Sequence, residues 1–273
     1  MTGSWAAGNN VSLDVLHQVQ SSLTVAMIMA PRRNLMTCRP NDVMADVVGR
    51  NADHFSYLPV VNDAEDIIGL FHAEEWFERT PPIGPVGDRF EPFSERLVIG
   101  SNASIYDFIR TADKRPIRLV VSGGEVSGLV SLSDLQQLPV RAALFTLVTS
   151  LEIVMAARIA HHWVEAEAWM KELSDGRRTK VKEAIETAKQ NDSFVSEIAF
   201  TQLADKATLV CKGGFLSASK RKVIDCFKKI QQLRDDLAHA NNYAESPEQA
   251  RKICKVVGDI LDIKIELLGQ LNK

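Results

Sequence analysis

The feature that most constrains this chain is a duplication inside its first half. Residues 57–76 read YLPVVNDAEDIIGLFHAEEW and residues 117–135 read IRLVVSGGEVSGLVSLSDL, so that Gly69 matches Gly128 at an offset of 59 residues. A repeated stretch is one supersecondary unit used twice, and it sets the fold before any single residue is assigned a task. Each copy is a β-branched run, a polar turn, a second apolar run and a helix start. Asn62-Asp63 and Ser122-Gly123-Gly124 supply the turns, both suited to hairpins. Short helical patterns precede the hairpins, at Asp42 to Val48 and Ser104 to Ala112. Each copy is therefore predicted as β-α-β-β-α, and the pair as an α+β fold.

Between the copies, residues 77–97 hold Pro81, Pro82, Pro85 and Pro92. Proline at that density continues neither a helix nor a central strand, so the stretch reads as a linker inside the pair. After Pro139 helical periodicity takes over. One helix is predicted from Pro139 past Trp163 toward Ser174-Asp175-Gly176, with others at Arg177 to Lys189 and Val195 to Val210 before a Gly213-Gly214 break. The next runs from Ser219 to Ala240, where Val223, Phe227, Ile230, Leu233 and Leu237 recur every three or four residues as one buried stripe. The last opens at Ser246-Pro247-Glu248-Gln249, a capping box with proline at the first helical position, and carries Ile253, Val256, Val257, Ile260, Leu261 and Leu268 inward. Antiparallel helices of this length fit a bundle. The predicted organisation is an N-terminal segment 1–22, a duplicated pair 23–138 (copies 23–80 and 98–138 around a linker 81–97), and an all-α domain 139–273.

Composition matters here for what it excludes and how it divides. With 45% hydrophobic residues the chain has enough apolar mass for real cores. The formal charge of −3 hides an asymmetry, because the residues from Pro139 onward sum to +3 and leave −6 for the first 138. Four widely spaced cysteines with no C-x-x-C pair argue against a disulfide framework and a cysteine-based zinc site, and fit reduced thiols in the cytoplasm. The N-terminus lacks a signal layout. The apolar segment Ala142 to Ala160, interrupted by Glu152 and Arg158, is expected to fall short of a membrane span and to form a buried or subunit-interface helix. His161-His162 has no carboxylates at metal spacing, so no metal site is predicted. A P-loop, a G-x-G-x-x-G after a strand and a serine nucleophile elbow are all missing.

The motif Val25, Ile28, Met29, Pro31, the L-P-V-V before the first hairpin and the Gly-h-h-Ser-x-x-Asp after the second resemble a tandem CBS (Bateman) module. That resemblance covers roughly residues 23–138. It implies a cleft between the copies for an adenosyl ligand (AMP, ADP or ATP), with Ser131 and Asp134 on phosphate and ribose and Gly128 beside them. A carboxylate accepts from both ribose hydroxyls, and a hydroxyl at a helix start sits beside orphan N–H groups. The first copy carries His72 and Glu75 at the matching places, which points to one nucleotide site rather than two. The same Ser-x-x-Asp is also an ordinary cap arrangement.

In the helical half, QLRDDLAHANNY contains Arg234-x4-His239 with Asp235 directly after the arginine. This spacing in an all-helical domain resembles the HEPN superfamily. The resemblance implies a metal-independent endoribonuclease in which two copies of the motif meet across a homodimer, with no cofactor for catalysis. The chemistry suits the residues: attack by an RNA 2′-hydroxyl needs a base that titrates near neutrality, and the developing phosphorane charge needs a fixed cation. Five residues of helix advance about 7.5 Å and about 140°, so Arg234 and His239 share a face only if the helix frays near Ala238. Asp235 is placed to orient its neighbours. Lys220, Arg221, Lys222, Lys228 and Lys229 precede the motif as a candidate RNA-binding cluster, or equally a solvated face. Some toxin members extend the motif to a tyrosine two residues after the histidine, where this chain has Asn241.

Three readings follow. The first is a nucleotide-regulated endoribonuclease whose CBS pair changes how two helical domains meet. The second is a non-catalytic regulator that senses nucleotide and dimerises. The third is a toxin held by an antitoxin partner.

Overall fold

The computed structural model describes residues 18, 20–80, 83–191 and 196–271. The chain divides into two compact units, one spanning Thr24–Asp134 and one comprising Leu135 onward with the described residues before Thr24.

In the first unit the duplication becomes two hairpins. The first copy holds β1 (Ala30–Pro31), α1 (Met44–Arg50), β2 (Tyr57–Val61) and β3 (Ile67–His72). After β4 (Glu91–Pro92) the second copy follows as β5 (Val98–Gly100), α2 (Ile105–Ala112), β6 (Ile117–Ser122) and β7 (Glu125–Ser131). They form two sheets, ordered β2-β3-β4 and β1-β7-β6-β5. The first copy thus lends a strand to the sheet of the second: β1 runs antiparallel to β7 with Pro31 opposite Gly128. In the other sheet β4 covers β3 with Pro92 opposite Gly69. One cause explains both matched glycines. A Cβ on Gly128 would run into the Ala30 carbonyl oxygen, and one on Gly69 into the Glu91 carbonyl and the Phe90 ring.

Several expectations need correction. The proline-rich linker contributes β4, which is possible because an edge strand tolerates a residue without an N–H. The first hairpin turn is longer than Asn62-Asp63. Pairing resumes at Ile67, and the Asn62 side-chain oxygen accepts the Asp66 N–H at 2.8 Å to close the loop. The second turn is the two-residue Gly123-Gly124, both with positive φ (61° and 89°), as a tight hairpin requires. The helix starts after the hairpins are only 3-10 turns, Ala73–Trp76 and Leu132–Gln136.

The capped helix α2 follows its sequence pattern. Ser104 Oγ accepts the Tyr106 N–H at 3.2 Å, and Ile105, Phe108, Ile109 and Ala112 are fully buried. One core cluster, around Met44, Val47 and Phe71, joins the first copy to Val86 of the linker. A second cluster joins the copies by packing Val61, Ile67 and Leu70 with Ile117, Leu119 and Leu129. Each such side chain contributes about 1.5–3 kcal/mol on burial.

The second unit contains α3 (Leu138–His162), α4 (Ala166–Met170), α5 (Asp175–Gln190), α6 (Leu203–Lys212), α7 (Lys220–Ala238) and α8 (Pro247–Leu271). The helix from Pro139 stops at His162 instead of reaching Ser174. Trp163 leaves helical backbone geometry, and its ring packs near His162 and Phe215, centroids 4.6 and 5.7 Å away. Of the predicted helix over 195–210, Val195 lies outside the described residues, Glu197–Phe200 is a 3-10 turn and α6 begins at Leu203. The break is fixed by a capping box between Gln202 and Asp205. Asp205 also accepts two hydrogen bonds from Arg177, at 2.9 and 2.6 Å.

Contrary to expectation, α3 is long and apolar enough to cross a membrane by length and composition, with mean hydropathy 1.7 over its best window. Two charged residues do not offset so many aliphatic ones. Half of that window is buried inside the protein. Glu152 accepts from Lys206 Nζ at 3.1 Å, and Lys206 is itself buried.

The predicted stripe on α7 is buried throughout. On α8, Leu261 and Leu268 are only half-buried, while Ile263 and Leu267 point inward. Its capping box is also shifted. Ser246 Oγ accepts the Gln249 N–H at 3.2 Å, but the Gln249 side chain accepts from Glu245 N–H at 2.8 Å rather than from Ser246.

Candidate functional site

At the end of β7, Asp134 Oδ2 accepts the Ser131 backbone N–H at 2.6 Å and the Ser131 hydroxyl at 3.2 Å. Ser131 Oγ lies 2.7 Å from Ser133 Oγ. Ser131 and Asp134 therefore meet, both half-buried, in a 3-10 turn that offers fewer aligned N–H groups than an α-helix start. Gly128 sits under β1, where the absence of a side chain admits the Ala30 carbonyl. The first copy closes the same way. His72 Nδ1 is 2.9 Å from Glu75 Oε1, and the His72 ring stacks on Tyr57 with centroids 4.3 Å apart.

In the helical unit the motif occupies the end of α7. The helix stops at Ala238; His239 is its C-cap, with φ −95° and ψ 10°, and Ala240 is left-handed at φ 55°. The Asn241 N–H donates to the Asp236 carbonyl at 2.9 Å and the Ala240 N–H to Leu237 at 3.5 Å. This is the Schellman closure, built without glycine. The chain thus unwinds at His239, the position where a continuing helix would turn it away from Arg234.

Asp235 interacts with both. Its Oδ1 accepts from Gln231 at 2.9 Å and from Arg234 Nη1 at 3.2 Å. The Gln231 hydrogen bond, then Arg234 and the field of His239, hold its carboxyl below the usual carboxylate range. The Arg234 and Asp235 side chains are 47% and 44% exposed, and His239 is exposed. The arrangement leaves a guanidinium and an imidazole exposed near one helix end.

Two residues of this region were not legible as part of it. Arg141 on α3 donates through Nη1 to the carbonyls of Asp236 (3.2 Å) and Leu237 (3.4 Å), and through Nη2 to Asn241 (2.7 Å). Its guanidinium stands 5.0 Å over the Tyr243 ring. Tyr243 in turn donates to the Leu135 carbonyl at 2.6 Å. Burial pushes the Tyr243 phenol up to about 12, with Arg141 opposing. The only sequence signal for Arg141 is that it is the one charged residue in the apolar run 138–151.

The basic cluster does not stay together. Lys220 and Lys228 line a groove between α6 and α7, whereas Lys222 and Lys229 line one between α7 and α8. Arg221 is exposed at the start of α7. Helical geometry separates them: positions 220 and 228 differ by about 80° around the axis, but 220 and 222 by about 160°. Among the described residues no group of three or more His, Cys, Asp or Glu is placed to hold a metal ion.

No protein-family model and no curated protein matches the chain. Solved structures are similar to its N-terminal half. The CBS domain of a bacterial CNNM/CorC family Mg2+ transporter, in complex with ATP, is 20% identical with a TM-score of 0.38, covering 45% of this chain and 90% of that one. CBSX2 of Arabidopsis thaliana, in complex with AMP, is 24% identical with a TM-score of 0.35, covering 44% and 96%. The CBS domains of a transcriptional regulator from Streptococcus pneumoniae are 18% identical with a TM-score of 0.34, covering 41% and 94%. Each likeness lies in the N-terminal half of the chain.

Proposed function

We propose that the chain is an adenine-nucleotide-responsive endoribonuclease, with a CBS pair as sensor and a HEPN-like helical unit as catalyst. The observation that carries the catalytic reading is the helix end at which Asp235 contacts Arg234 and lies in the field of His239. In this reaction the His239 imidazole takes the proton of an RNA 2′-hydroxyl and the 2′-oxygen bonds to phosphorus. Arg234 neutralises the phosphorane oxygens. The bond from phosphorus to the 5′-oxygen breaks, and that oxygen takes a proton from the protonated imidazole of a second copy. The products are a 2′,3′-cyclic phosphate and a free 5′-hydroxyl.

A homodimer supplies the second imidazole. Leu138 and Phe145, 76% and 51% exposed on α3, support pairing through that helix. The sensor reading rests on the Ser131/Asp134 turn, which would meet the phosphate and ribose of AMP, ADP or ATP. Such a ligand shifts activity only through unequal affinity for two arrangements of the protein.

The test is cleavage of RNA in EDTA by wild type and His239→Ala, with and without each adenine nucleotide. Cleavage lost in the variant and altered by nucleotide is expected; equal activity in both proteins removes the catalytic reading. Calorimetry with AMP and ATP on wild type and Asp134→Ala tests the sensor. The pairing of Arg234 with Asp235 favours one second reading, a non-catalytic regulator in which this helix end is a fixed docking surface. Nucleotide binding without any RNA cleavage would select it.

A further inference from the structure

The groove between α6 and α7 is a cavity of about 410 Å³, within the size range of small-ligand sites. Its floor is apolar, formed by Ala207, Cys211, Ile224 and Phe227. Ile224 is 38% exposed there although most aliphatic residues of the unit are buried. Lys220 and Lys228 stand on its rim, and neither has a salt-bridge partner among the described residues. At its far end the groove reaches Asp235, the neighbour of Arg234. Apolar floor, cationic rim and the helix end of Arg234 at one end are the three things a nucleic-acid strand would meet in turn.

Length discriminates between anions. Lys228 precedes Arg234 by six residues, about 9 Å of helix, and Lys220 by fourteen, about 21 Å. An anion that spans them is extended, which a strand is and a mononucleotide is not.

We propose that the α6/α7 groove is the seat for single-stranded RNA on this protein, bases on the apolar floor and phosphates on Lys220 and Lys228, delivering the strand to Arg234 and His239. The choice of RNA rests on the ribonuclease reading; the groove as a binding site does not. Lys222 and Lys229, on the other side of α7, take no part.

The experiment measures binding, not cleavage, using the full chain with His239→Ala and a labelled single-stranded RNA followed by fluorescence anisotropy. Lys220→Glu with Lys228→Glu is expected to weaken binding about tenfold or more at low salt and to flatten the salt dependence by about 1.4 in log–log slope. At about 0.15 M salt, where charges more than about 8 Å from the strand are screened, Lys222→Glu with Lys229→Glu changes affinity by less than about threefold. Ala207→Trp, which fills the groove without altering charge, weakens binding as well. Ile224→Ala, a surface truncation that leaves the fold intact, checks the floor separately.

Equal loss from both lysine pairs, or unchanged affinity in Ala207→Trp and Ile224→Ala, overturns the proposal. So does displacement by poly-glutamate as effective as by unlabelled RNA. Groove-dependent RNA binding by a wild-type protein that cuts nothing sustains this inference and removes the ribonuclease reading. Cleavage unaffected by the groove variants does the reverse.

Discussion

The Arg141 guanidinium donates to the Asn241 carbonyl at 2.7 Å, tying the start of α3 to the turn that follows His239. The same side chain reaches the carbonyls of Asp236 and Leu237, so one cation caps the last turn of α7. A charge at a helix C-terminus is favourable in itself, and hydrogen bonds to charged groups contribute about 1.5–3 kcal/mol. Arg141→Met is therefore expected to destabilise the protein by about 1–3 kcal/mol in urea unfolding. It should also speed amide exchange at Ala240 and Asn241 more than in α8. Exchange that is unchanged at those amides would show that the turn holds itself.

Ala240 sits in a left-handed conformation, which costs an L-residue roughly 1–2 kcal/mol. Glycine removes that strain at the position where Schellman turns most often carry it. Ala240→Gly should raise stability by about 1 kcal/mol, read as a higher urea midpoint. A lower midpoint would mean that the Ala240 methyl makes contacts worth more than the strain.

Gly128 separates a structural role from a ligand role. A Cβ there collides with the Ala30 carbonyl of β1, so Gly128→Ala should cost about 2 kcal/mol or more without any nucleotide present. Gly49→Ala in α1, with nothing within 4 Å of the added carbon, should instead stabilise by about 0.5–1 kcal/mol. Differential scanning of both apo variants decides the matter; an apo Gly128→Ala as stable as wild type contradicts the close packing of β1 on Gly128.

Lys264 is buried in α8, and burial lowers its ammonium pKa. The unfolded chain then binds more protons than the native one between the lowered pKa and the ordinary value, so stability rises with pH through that window. Below it the native state carries the whole cost of a buried charge. Lys264→Met should gain on the order of 1 kcal/mol at pH 7 and lose that part of the slope. Urea melts from pH 7 to 10.5 compare the two proteins. Parallel curves would mean that the ammonium reaches water.

The duplication, both internal helices, the buried stripe on α7 and the helical second half were all legible in the sequence, because each rests on local periodicity or turn chemistry. Ser104 before an apolar helix, and Val223 to Leu237 spaced by threes and fours, need no distant partner to be read. What only the tertiary structure decided involves pairs far apart in the chain. Gly69 and Gly128 matched as letters, but their cause is the backbone of β4 and β1 crossing above them. The linker's Pro92 became an edge strand because β3 had an open edge to offer. Of five basic residues that read as one cluster, four were divided by the turn of a helix between two grooves, with α6 on one side and α8 on the other, and Arg221 lines neither. Arg234 and His239 were visible as a spacing. The end of α7 that exposes His239 is hydrogen-bonded by Arg141, nearly a hundred residues earlier. Periodicity records which face of an element is buried, whereas the partner that meets that face is chosen only when the chain packs.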